Sequence, residues 1–169
     1  MLKFAMLTLV AAVSAVGAAQ TVVALDPSRG ASALVATLRE APPPMAVGQS
    51  AAISKASDGH YWAEADVNGA RVRFLVDTGA TAVALTLEDA QRLGFDPAKL
   101  DYRQKVMTAS GEARAAVVKL SAISVAGARV ADVDALVIEK GLETSLLGMS
   151  YLGRLTRFEA TRTSLILRP

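Results

Sequence analysis

The chain of 169 residues contains no cysteine and a single histidine, His60. The first absence rules out a disulfide framework and a thiol nucleophile. The second rules out a zinc cluster of the usual His and Cys ligands, and His60 reads as a turn residue where a domain begins. Aromatic residues make up 5% of the chain although 52% of it is apolar, so its core must be built from Val, Leu, Ile and Ala. Charge of one sign is also missing: 18 Lys and Arg stand against 16 Asp and Glu, scattered along the sequence. No basic block marks a nucleic acid partner or an anionic lipid surface.

The one long apolar stretch lies at the N-terminus. Met1-Leu2-Lys3 is a short basic start, Phe4 to Val16 an apolar run, and Gly17-Ala18-Ala19 a small-residue site suited to cleavage. Apolar character resumes from Val22 to Leu25, which makes residues 1–25 long enough to span a bilayer. They are expected to be either a cleaved signal peptide or a retained membrane anchor, and the remainder to lie in the periplasm or otherwise outside the cytoplasmic membrane. Residues 26–58 contain Pro42-Pro43-Pro44 and little periodicity beyond a short helix over Ser32 to Arg39, and read as a linker or stalk. Residues 59–169 then form the folded domain.

Within that domain the pattern is one of short β-like runs. Tyr61 to Val67, Asn68-Gly69, and Ala70 to Val76 spell a hairpin around the dipeptide that favours a type I′ turn. Pairing Val67 with Ala70 sets Asp66 opposite Arg71, Ala65 opposite Val72 and Glu64 opposite Arg73, with charges on one face and apolar residues on the other. The second strand ends in Phe74-Leu75-Val76 and delivers Asp77-Thr78-Gly79-Ala80, which puts a carboxylate at the tip of a buried strand.

Val83-Ala84-Leu85 predicts a strand, and Thr86 caps a helix with Leu87, Ala90 and Leu93 near one face and a stop at Gly94. Runs at 106–109 and 112–120 flank Ser110-Gly111 as a second hairpin with a polar tip. Further strands follow at 123–125 and 130–138, then Leu146-Leu147-Gly148, a helical turn from Met149 to Leu155, and a terminal hairpin of Phe158-Glu159 with Ser164 to Leu167. Many short strands with one or two short helices predict a mainly β, barrel-like domain.

Three stretches, in this order, carry a resemblance: Phe74 to Thr81, Leu146 to Leu152, and Ser164 to Pro169. Across residues 59–169 the chain resembles the retropepsin-like aspartic proteases, and in particular the bacterial, single-lobe enzymes that are exported or membrane-tethered. The resemblance implies a retropepsin-like acid-protease barrel of one lobe and an aspartic endopeptidase that needs no cofactor or metal. Asp77 would be the catalytic carboxylate. Thr78 would bond across a dimer axis, Gly79 would donate its N–H to the carboxylate, and Thr81 would complete the loop. Ala80 departs from the serine of many two-lobed relatives, which leaves one hydrogen bond fewer to the carboxylate. Ser110 and Gly111 would form the flap over a polypeptide substrate, and Leu146-Leu147-Gly148 would pass beneath the active loop, where a side chain on Gly148 would collide. Strand 164–168 would interleave with the chain ends of a second copy. Water activation takes two carboxylates that share a proton. With one Asp-Thr-Gly in the chain, the second must come from a homodimer partner.

Rival readings of the same residues are weaker. Phosphoaspartyl pumps want Lys after the Asp, and the phosphatases want a second Asp two positions on, where this chain has Thr78 and Gly79. Asp132 and Asp134 alternate with Val133 as a solvated strand face and lack the spacing of a calcium loop. Ser145 and Ser150 are expected to have no nearby base, which argues against a serine nucleophile. A module that keeps the fold for peptide binding or dimerisation, with little or no catalysis, is the alternative of a different class.

Overall fold

The computed structural model describes residues 44–169. The signal or anchor read over 1–25, the helix over 32–39 and most of the stalk lie outside the described residues.

The described chain runs β1 (Val47–Gly48), β2 (Ala51–Ser54), β3 (Trp62–Val67), β4 (Ala70–Val76), β5 (Val83–Leu85), α1 (Leu87–Arg92), a 3-10 turn (Pro97–Lys99), β6 (Gln104–Thr108), β7 (Gly111–Val125), β8 (Ala128–Ile138), β9 (Leu146–Leu147), α2 (Met149–Leu152), β10 (Arg157–Ala160) and β11 (Ser164–Arg168). The larger sheet follows the order β1-β8-β5-β9-β4-β3-β7-β6, and β7 also pairs with β8. The path from β8 through β5, β9, β4, β3 and β7 therefore returns to β8, closing a small barrel whose inner strands have no free edge.

The β3–β4 hairpin has the register that the turn chemistry dictates. Val67 faces Ala70, Asp66 faces Arg71, Ala65 faces Val72 and Glu64 faces Arg73. Asn68 and Gly69 both hold positive φ, 52° and 87°, as a type I′ turn requires. The Asp66 carboxylate accepts the Gly69 N–H at 3.1 Å. Ala63, Ala65, Val67, Val72 and Phe74 are buried, while Glu64, Asp66, Arg71 and Arg73 are exposed. The alternation thus fixes which face meets the core, at about 1.5–3 kcal/mol for each fully buried large aliphatic or aromatic side chain.

Helix α1 is capped by Thr86, whose side chain accepts from the Asp89 N–H. Ala90 and Leu93 pack inward, but Leu87 in the first turn is exposed at the surface. Gly94 follows in a left-handed conformation, φ 89°, which ends the helix.

A smaller sheet has the order β10-β11-β2 and corrects two expectations. The segment read as stalk to residue 58 is part of the fold from Ala46 onward. Ala51 and Ile53 of β2 alternate inward and are buried, and β2 pairs with β11 through Ala51–Leu167 and Ile53–Leu165. A four-residue strand with two alanines carries too little hydrophobic contrast to stand out from a linker. Arg154 holds the start of this segment through Pro44 O, which accepts from its guanidinium, and through a bond from Nη1 to Asp132 O at 2.9 Å. The second correction concerns interleaving. Both edges of β11 are filled within the chain, so a second copy can extend this sheet only at its outer strands, β2 or β10.

Candidate active site

Strand β4 lies between β3, which it pairs antiparallel, and β9, which it pairs parallel through Leu75–Leu146 and Val76–Leu147. Two backbone bonds hold its end: Leu75 N–H donates to Ser145 O at 2.9 Å, and Asp77 N–H donates to Leu147 O at 3.2 Å. The side chain of Asp77 therefore emerges from a backbone tied to β9 on one side. Its Oδ1 accepts the Gly79 N–H at 2.8 Å, and Ala80 N–H closes the turn onto Asp77 O at 3.3 Å. Asp77 is half-buried, and among the described residues its Oδ2 has no protein partner.

The loop rests on the segment after β9. A Cβ added to Gly148 would lie 2.2 Å from Ala82 O, 2.6 Å from Ala82 C and 2.7 Å from Ala80 O, all backbone atoms of the Asp77 loop or its continuation. Only a residue without a side chain lets these strands approach so closely. The next residue completes the join, because Met149 N–H donates to Ala80 O at 2.8 Å. Ser150 adds a tie of its own: its hydroxyl accepts from Val83 N–H at 2.9 Å and donates to Asp134 O at 2.7 Å. Gly79 differs in kind, since the nearest atom to a Cβ there is Asp77 Oδ1 at 3.1 Å. At Ala80 a methyl group stands beside the loop and offers no hydroxyl to the carboxylate.

Beside Asp77 opens a groove of about 610 Å³. Gly79, Ala80 and Thr81 line it from the loop, Leu75 and Leu146 from the paired strands, and Val106 to Ser110 from the β6–β7 hairpin. That hairpin carries the Ser110-Gly111 turn, where the resemblance implies a flap. Its tip is tied by Thr108, whose hydroxyl donates to Gly111 O at 2.8 Å and accepts from Ser110 N–H at 3.2 Å. Gly111, at φ 107°, shapes the turn, while Ser110 reaches the groove.

The structure thus brings Asp77, Gly79, Ala80, Thr81, Ser110 and Leu146 to one groove, with Leu147 and Gly148 buried beneath. Thr78 is exposed, and its hydroxyl makes no hydrogen bond among the described residues. Ser145 is fully buried and does have an acidic neighbour: its hydroxyl donates to Asp89 Oδ2 at 2.5 Å and accepts from Thr86 N–H at 3.1 Å. Arg92 also binds that carboxylate, at 2.7 Å, so the cluster locks α1 to β9 and offers no base to a nucleophile. Sequence reasoning missed a further part of the lining, formed by Leu136, Ile138, Leu142, Glu143 and Thr144. The two-residue spacing of Leu136 and Ile138 marks a shared strand face, but nothing local says that this face looks at Asp77.

A family model described as gag-polyprotein putative aspartyl protease matches residues 63–154. The crystal structure of a retropepsin-like aspartic protease from Rickettsia conorii is similar, with a TM-score of 0.65 and 40% identity, covering 72% of this chain and 92% of that one. An uncharacterized protein of Rickettsia prowazekii (strain Madrid E) is 44% identical over 115 residues, which is 68% of this chain and 49% of the relative. Another, encoded in the cobV 5′ region of Sinorhizobium sp, is 43% identical over 121 residues, 71% of this chain and 52% of the relative. The chain spans about half the length of these curated relatives. The single-lobe β barrel, with its Asp-bearing loop seated over an apolar pair and a glycine, is accordingly the retropepsin-like fold, and the chain belongs to the bacterial retropepsin-like members of the gag-polyprotein putative aspartyl protease family.

Proposed function

We propose that this protein is a homodimeric aspartic endopeptidase acting outside the cytoplasm, with Asp77 of each subunit contributing to one active site. The observation that carries the reading is the setting of Asp77: one carboxylate oxygen held by Gly79 N–H, the other without a protein partner among the described residues, at the wall of a groove. Across a two-fold axis the free oxygen meets its counterpart. Two carboxylates that close cannot both ionise cheaply, so the pair holds one proton. The ionised member draws a proton from water while the other protonates the peptide carbonyl oxygen. Thr78, whose exposed hydroxyl has no hydrogen-bond partner among the described residues, would bond across the same axis. The 106–111 hairpin closes over the polypeptide and keeps bulk water out.

The extracytoplasmic assignment rests on the residue pattern of 1–25, which either frees the domain after export or leaves it tethered to the inner membrane.

The test combines sedimentation with cleavage of an unfolded polypeptide across a dilution series. Specific activity is expected to fall in step with the dimer fraction, and Asp77→Asn to keep the fold and lose cleavage. Full activity in Asp77→Asn, or activity that tracks the monomer, refutes the proposal. Peptide binding without turnover by a folded wild-type dimer would favour the binding-module reading.

A further inference from the structure

Among the described residues, two that line the groove carry charge, Asp77 and Glu143, and both are acidic. No Lys or Arg among them lines the wall. Glu143 forms no salt bridge among the described residues, whereas Glu139, four positions earlier, is gripped by Arg114 through Nε at 2.8 Å and Nη2 at 2.6 Å. The segment that carries Glu143 also spans the site. At one end, a Cβ on Gly141 would stand 3.6 Å from the Ser110 side chain at the flap tip. At the other, Leu146 pairs with Leu75, two residues before Asp77. Glu143 therefore sits on the stretch that links flap tip to catalytic loop, an exposed acidic residue on an otherwise largely apolar groove, with no ion-pair partner among the described residues.

Resting on the protease reading above, we propose that Glu143 is a specificity determinant that selects substrates with a Lys or Arg side chain close to the cleaved bond. Leu75, Val106, Leu136, Ile138 and Leu142 offer surface to apolar side chains but do not discriminate by charge. An unpaired carboxylate among them does so twice, attracting a cationic substrate side chain and repelling an acidic one, which is how specificity is usually built. Glu143 is exposed, so the attraction is that of a solvent-screened pair. The preference should reach about fivefold in kcat/KM and shrink as salt shortens the screening length.

The experiment uses the full chain and peptides with a central apolar pair, in which Lys, norleucine or Glu is scanned through each flanking position. The readout is the Lys-to-norleucine ratio of kcat/KM within each protein, so a change in overall activity cancels. Wild type is expected to favour Lys about fivefold at one position at low salt, Glu143→Gln to bring that ratio close to one, and Glu143→Lys to favour the Glu peptide there. The salt dependence in wild type alone keeps the test decisive should a variant fold poorly. Cleavage with no charge preference, or a preference unchanged in Glu143→Gln, overturns the role of Glu143 and leaves the protease reading standing. Cleavage of no peptide at all overturns both.

Discussion

Replacing Gly148 with alanine would put a methyl carbon 2.2 Å from Ala82 O and 2.7 Å from Ala80 O. Both are backbone atoms, so no flexible side chain can yield, and relief requires the loop carrying Asp77 to lift. Overpacking of this kind costs about 1–3 kcal/mol, and the lift also strains the Met149 N–H to Ala80 O bond, a further ~1 kcal/mol. Together these give about 2–4 kcal/mol, a large share of the roughly 5–15 kcal/mol that holds a domain folded. At roughly 4 °C per kcal/mol, the melting temperature of Gly148→Ala should drop by about 8–16 °C. The comparison is Gly79→Ala, where a Cβ meets only the Asp77 carboxylate at 3.1 Å and the backbone needs no glycine conformation. Its stability should stay within about 1 kcal/mol of wild type. Calorimetry on both variants, with peptide cleavage measured on the same samples, tests the reasoning. A Gly148→Ala domain that melts within about 2 °C of wild type would refute it, because the loop would then have moved at almost no cost.

Two further outcomes follow from buried polar groups. Tyr151 is fully buried and donates to Ala128 O at 2.8 Å, and burial pushes its phenol well above the ordinary range. The folded state thus holds a proton that the unfolded chain releases above about pH 10. Stability from this group is present below that pH and declines as pH rises beyond it, by about 1.4 kcal/mol per unit. Tyr151→Phe should cost about 1 kcal/mol at neutral pH and flatten the alkaline decline, and an unchanged slope of unfolding free energy against pH would contradict this. Ser145→Ala removes the donor to Asp89 and the acceptor for Thr86 N–H. It should lower the urea midpoint by the equivalent of about 2–3 kcal/mol without altering the m-value; an unmoved midpoint would show that the cluster is not a lock.

The hairpin that presents Asp77 was fully legible, because everything that sets it lies within a few residues. Asn68-Gly69 accepts positive φ at both positions, and side-chain parity then assigns each neighbour to a face. The cap at Thr86 and the stop at Gly94 were legible for the same reason. Strand β2 was not, since Ala51 and Ile53 become core residues only once β11 arrives from the far end of the chain. Ser145 misled in another way: its partner Asp89 is remote in sequence, and the contact depends on α1 docking beside the residue that precedes β9.

By itself, the sequence determined that one carboxylate stands at the end of a buried strand, in what register that strand pairs, and that Asp-Thr-Gly occurs once in the chain. Turn conformation and strand parity are short-range, so they survive without knowledge of the rest of the molecule. Only the tertiary structure decided which residues share a groove with Asp77, that Glu143 is one of them, that Gly148 lies within van der Waals reach of the loop backbone, and that β11 has no open edge. Each of these joins segments far apart along the chain, and their meeting is set by barrel closure, which no local pattern encodes.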